Sequence, residues 1–87
     1  MKARVQTVDT NYTPEGVHRL KDLGFQFRVD QRAVAIGRDS IWELVEEEVL
    51  VEIDDIGAFA DKYGEVIVSS DVKDGYRLVT IYDGYIE

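Results

Sequence analysis

The chain has 87 residues, 45% of them hydrophobic, no cysteine and a net charge of −8. A chain of this length suits one domain with one core, burying roughly 60–65% of its unfolded surface. Disulfides and thiolate chemistry are excluded, no apolar run approaches the ~20 residues of a membrane span, and the start MKARVQTVD lacks a signal-peptide core. The expectation is a soluble cytoplasmic protein.

The charge is unevenly placed. Residues 1–38 hold seven Lys/Arg against four Asp/Glu, or +3, whereas residues 39–87 hold three against fourteen, or −11. Phosphates would meet like charge over most of the chain, which argues against direct nucleic-acid binding and favours a basic protein surface as partner. The alternative is that acidity only keeps a small protein soluble.

In chain order, Lys2 to Val8 reads as a first strand, with apolar positions too sparse to fix its inward face. Thr13, Pro14 and Glu15 mark a helix start: Thr13 can cap, Pro14 fits the first helical position, and Tyr12 can staple onto Val17. The helix should run to Leu23 and stop at Gly24. Phe25 to Val29 alternates cleanly and predicts a strand. Arg32 to Gly37 predicts a second one, with Val34 and Ile36 inward. A turn at Asp30-Gln31 then pairs Phe27 with Val34. The Arg32–Ile36 and Ile41–Val45 arms can instead be one strand bent at Gly37.

Ile41 to Gly64 carries most of the negative charge. Trp42 and Leu44 are even-numbered, while Val49, Val51 and Ile53 are odd. A single strand would send the two sets to opposite faces, so the spacing predicts a hairpin turning at Glu46, Glu47 and Glu48. That hairpin pairs Leu44 with Val49 and Trp42 with Val51. Its other face mixes Glu43 and Glu52 with Ile41, Val45 and Leu50, three apolar residues that need a cover. A helix follows, with Asp54 as cap and Asp55 adding charge at its positive end. Ile56, Phe59, Ala60 and Tyr63 form its apolar face, and Gly64 ends it.

Val66, Ile67 and Val68 in succession predict an interior strand, buried on both faces. Asp74-Gly75 is a hairpin turn that returns the chain through Tyr76 to Tyr82, pairing Val68 with Ile81 and Ile67 with Tyr82. The expected fold is α+β, a single domain at residues 1–87: an antiparallel sheet built from hairpins, with one or two short helices on one face.

No residue pattern specifies catalysis, a cofactor or a metal. His18 is the only histidine and stands on a helix with no local partner motif. Asp54-Asp55 and Asp71 with Asp74 fit no EF-hand spacing and suit a cap and turns. The expectation is therefore a non-enzymatic protein that binds no cofactor. Glu43, Glu46, Glu47, Glu48, Glu52, Asp54, Asp55 and Asp61 lie within nineteen residues. Duplex DNA carries one charge per ~1.7 Å of axis. Carboxylates on one strand face recur at ~6.8 Å, and a second arm and a helix end would fill in between. Such a cluster can occupy a Lys/Arg groove built for nucleic acid, with Ile41, Val45 and Leu50, or Tyr82 and Tyr85, as apolar anchors.

The runs from Val49 to Asp55, from Tyr63 to Ser69 and from Ile81 to Glu87 resemble small acidic proteins of bacteriophages and prophages. The resemblance covers roughly the second half of the chain and carries over no functional residue. It implies an inhibitor, since some such proteins block host nucleic-acid enzymes, CRISPR nucleases among them, by filling basic grooves. The basic first half departs from an all-over mimic of nucleic acid. The expected function is thus an acidic binding protein of the anti-CRISPR type, acting in the host cytoplasm on a basic, nucleic-acid-handling protein such as a CRISPR effector. The alternative is a homo-oligomeric structural or virion-associated protein, a homodimer in the simplest case.

Overall fold

Ala3 and Val5 are fully buried, which makes the first strand a central strand of the sheet. The fold is given by a computed structural model and is described for residues 1–8, 12, 14–37 and 41–82. In chain order its elements are β1 (Lys2–Thr7), α1 (Pro14–Leu23), β2 (Phe27–Val29), α2 (Gln31–Ala35), β3 (Trp42–Leu44), β4 (Glu48–Glu52), α3 (Ile56–Tyr63), β5 (Val66–Lys73) and β6 (Tyr76–Ile81). It is an α+β fold in which antiparallel pairing predominates.

Four strands form the main sheet in the order β4-β1-β6-β5, and β2 and β3 form a separate two-stranded ribbon. β1 pairs antiparallel with β4, placing Ala3 against Val51 and Val5 against Val49. On its other side it pairs parallel with β6, placing Val5 against Val79. Odd-numbered residues of these strands share one face. There Ala3, Val5, Val79 and Ile81 join Leu20 of α1, Tyr63 of α3, Phe25 and Ile53 in the core. Phe27 and Leu44 of the ribbon pack against the same cluster.

The helix ends follow the sequence. α1 stops before Gly24, whose φ of +125° is open to glycine alone and whose N–H donates to the Leu20 and Lys21 carbonyls. The Asp74-Gly75 turn has positive φ at both residues, 54° and 83°, as the tightest right-twisting hairpins require. Gly64 closes α3, its N–H donating to the Ala60 carbonyl at 2.8 Å. The cap of α3 lies one residue later than expected. Asp55, not Asp54, accepts from the Gly57 and Ala58 N–H groups.

Three expectations are corrected. β3 and β4 do not form a hairpin: β3 pairs with β2, Leu44 facing Phe27 and Trp42 facing Val29, while β4 joins β1. Alternation had correctly turned Leu44, Val49 and Val51 toward the core. It fixes a strand's face, not its neighbour. Residues 31–35 are helical, so the Phe27–Val34 pairing and the long strand bent at Gly37 are both absent. Asp30 caps this turn by accepting from the Arg32 N–H at 3.0 Å, leaving Ala33 buried and Val34 and Ile36 exposed. Finally, β5 is an edge strand, with Ile67 and Val68 exposed.

The expected register of the last hairpin holds beside its turn, where Lys73 faces Tyr76 and Val72 faces Arg77. Past an irregularity between Val68 and Val72 it shifts by two, so Val68 faces Val79 and Val66 faces Ile81. A shift of two preserves which face each residue occupies, so Val66 still packs against the core. Thr13 and Tyr85 fall outside the described residues.

Candidate functional site

The acidic stretch is divided among four structural settings. Glu43 sits on the ribbon, where it accepts two hydrogen bonds from Arg28, from Nε at 2.8 Å and Nη2 at 3.0 Å. The hydrogen bond, and after it the guanidinium charge, holds the Glu43 carboxyl below its ordinary range, and the same bond with the carboxylate charge holds Arg28 above its own. Glu48 and Glu52 lie on β4. Glu48 meets Arg4 at 3.4 Å and Glu52 meets the Met1 amino group at 3.1 Å. Asp55 is occupied as the α3 cap.

Glu46, Glu47, Asp54 and Asp61 are exposed, and their carboxylates have no ion pair or hydrogen bond among the described residues. Glu46 and Glu47 occupy the connection from β3 to β4. The Val45 and Glu46 N–H groups both donate to the Gln26 carbonyl there, which holds the start of this connection against the segment leading into β2. The regular ladder of charge expected from a β3–β4 hairpin is not built, because its two arms belong to different sheets. The remaining free carboxylates are separate points at a loop, a helix entry and a helix flank.

Three apolar residues expected to lack a cover are exposed: Ile41 at 42%, Val45 at 48% and Leu50 at 60%. Leu50 stands on the sheet face opposite the core, beside Arg4 of β1. On that face the Arg4 guanidinium also reaches Asp71 of β5 at 3.5 Å, spanning the sheet from one edge strand to the other. Tyr82 is half-buried and its N–H donates to the Glu65 carbonyl.

Sequence reasoning missed two features. The first is Arg4 as a cross-sheet bridge. The polar residues Lys2, Arg4 and Gln6 at alternate positions were the available signal for a solvent-facing side. The second is an open groove of about 360 Å³ between the end of α1, the end of β4 and α3. Leu23, Val51, Ala58 and Phe59 line it, with Asp54, Asp55 and Glu52 on its rim. Val51 and Phe59 read only as parts of a strand face and a helix face, and nothing in the sequence singles out Ala58.

His18 lies on the exposed side of α1, its Nε2 4.0 Å from Asp22, and does not reach this groove. Among the described residues no group of three or more His, Cys, Asp or Glu is placed to hold a metal ion. No helix there is long and apolar enough to cross a membrane. No protein-family model matches the chain. No curated protein and no solved structure matches it either.

Proposed function

We propose that this chain is a non-enzymatic binding protein that docks on a basic protein surface, acting as an inhibitor of a nucleic-acid-handling enzyme in the manner of phage anti-CRISPR proteins. One observation carries the reading. Within residues 41–61 the carboxylates of Glu46, Glu47, Asp54 and Asp61 have no partner among the described residues, and Ile41, Val45 and Leu50 of the same stretch stand exposed. Contacts of this composition join charge steering to apolar anchoring. The contact is made by separated acidic points around apolar anchors, not by a continuous imitation of a phosphate backbone.

Complexes formed this way weaken steeply with salt, because exposed charges separated by more than ~10 Å are screened at 0.1 M ionic strength. Capture from a bacterial lysate at low and high salt tests the proposal. Basic nucleic-acid-binding proteins should be retained at low salt and released at high salt. Retention of the same proteins at both, or of predominantly acidic proteins, contradicts it.

A second reading, self-association, is supported by β5. This eight-residue edge strand exposes Ile67, Val68 and Val72. Unpaired apolar edges invite pairing with another chain, while the irregularity before Val72 and the charges of Asp71 and Lys73 oppose it. Sedimentation separates the readings. A concentration-dependent dimer indifferent to salt favours self-association, and a monomer favours the inhibitor.

A further inference from the structure

The groove between α1, β4 and α3 has an apolar floor and an acidic rim, and the two together define what fits it. Leu23, Val51 and Phe59 are half-buried side chains that already pack on the core, and Ala58 is small enough to leave space above them. A volume of about 360 Å³ lies at the lower end of the roughly 300–1,000 Å³ of ligand-binding clefts. It suits one large apolar side chain better than a whole cofactor.

The rim selects the flanks of that side chain. Asp54, Asp55 and Glu52 stand with Lys62, whose Nζ lies 5.3 Å from the Tyr63 ring centre, and Glu52 is already paired with the Met1 amino group at 3.1 Å, so Asp54 and Asp55 carry the open charge of the rim. Asp54 has no partner among the described residues. The chain's own residues 83–87 bring Asp83 and Glu87, like charges to this rim, and a second copy brings a net charge of −8. Both are disfavoured as occupants.

We propose that this groove receives one aromatic or large aliphatic side chain of a basic partner segment, with Lys or Arg on either side of it pairing with the rim carboxylates. The inference rests on the binding-protein reading above and names its anchor point. Charge complementarity sets the approach, and burial of the apolar side chain holds the complex.

The test is an amide-shift titration of the whole chain by NMR. The probe is a pentapeptide with a central tryptophan flanked on each side by one arginine and one lysine. Two controls replace the tryptophan by serine, or the basic residues by acids. Saturable shifts centred on Leu23, Val51, Ala58 and Phe59 are expected, with affinity roughly tenfold or more weaker for the serine peptide. Ala58→Arg fills the groove at an exposed position with a good helix former and should weaken binding by a similar factor. Asp54→Lys provides an independent variant that should also weaken it.

Shifts centred on Glu46 and Glu47, with groove amides unmoved, overturn the groove and leave the binding-protein reading standing. Absence of shifts with every peptide overturns the groove, while the binding-protein reading falls only if the lysate capture at low and high salt fails. Equal binding of the acidic peptide, or full binding by a folded Ala58→Arg variant, overturns the groove assignment.

Discussion

Arg28 and Glu43 face each other across the β2–β3 ribbon and are joined by two hydrogen bonds, at 2.8 and 3.0 Å. The pair shows why counting charges overstates an acidic surface. Glu43 belongs to the densest run of acids in the sequence, yet its charge is matched within the fold by a cation from the basic first half. Glu48 with Arg4 repeats the pattern between β4 and β1. The +3 half of the chain therefore partly neutralises the −11 half, and the surface left for a partner is smaller than the sequence implies.

The first prediction concerns pH. Because the Glu43 carboxyl is held below its ordinary range, its contribution to stability is complete above the unfolded-state value. It is lost as the pH falls through the lowered folded-state value. Glu43→Gln should remove this part of the acid dependence and make the acid limb of the stability curve shallower, with affinity for a basic partner little changed. Urea titrations from neutral to acid pH check it. An unaltered acid limb would show that the pair adds nothing in solution.

The second prediction separates adjacent aspartates. Asp55 accepts hydrogen bonds from Gly57 and Ala58, and Asp54 makes none among the described residues. Asp55→Ala should lower stability by about 1 kcal/mol, the usual loss of a helix cap. Asp54→Ala should stay within about 0.5 kcal/mol of the wild type. Thermal and urea unfolding of the two variants give the comparison directly.

A third prediction tests the core. Leu20 is fully buried where α1 meets β1 and β6, and Ile36 is 65% exposed after α2. Leu20→Ala should cost about 2–5 kcal/mol, a large share of the roughly 5–15 kcal/mol available to a small domain. Ile36→Ala should cost no more than about 0.5 kcal/mol. Were residues 31–36 a strand with Ile36 inward, Ile36→Ala would instead cost about 2–5 kcal/mol, as much as Leu20→Ala.

Much of this fold can be read from residues alone, and the failures have physical causes. Pro14 and Gly24 bound α1, Gly64 ends α3, and Asp74-Gly75 turns the last hairpin, because each position constrains its backbone locally. Strand neighbours are a different kind of information. Trp42 and Leu44 match Val49 and Val51 in alternation as well as they match Val29 and Phe27, and only the rest of the fold decides between them. Val34 and Ile36 alternate like a strand, but the Asp30 cap diverts the backbone before the pattern acts. Val66-Ile67-Val68 has the composition of an interior strand and lies at an edge. The acids and the exposed Ile41, Val45 and Leu50 were visible in the sequence. Which acids already had partners, and that Leu23 and Ala58 border a groove, depended on tertiary packing.

A fourth prediction is the most direct test of the account, namely that the unpaired acids are the contact to a basic partner. The measurement is the affinity of a basic, nucleic-acid-binding protein captured by the wild-type chain, compared with its affinity for a variant carrying Glu46→Lys, Glu47→Lys, Asp54→Lys and Asp61→Lys. All four positions are exposed and their carboxylates have no partner among the described residues, so the variant should keep its fold, as checked by circular dichroism. The account predicts that binding is lost in the variant and that duplex DNA or RNA displaces the partner from the wild type. Equal affinity for both chains, unaffected by nucleic acid, would contradict it.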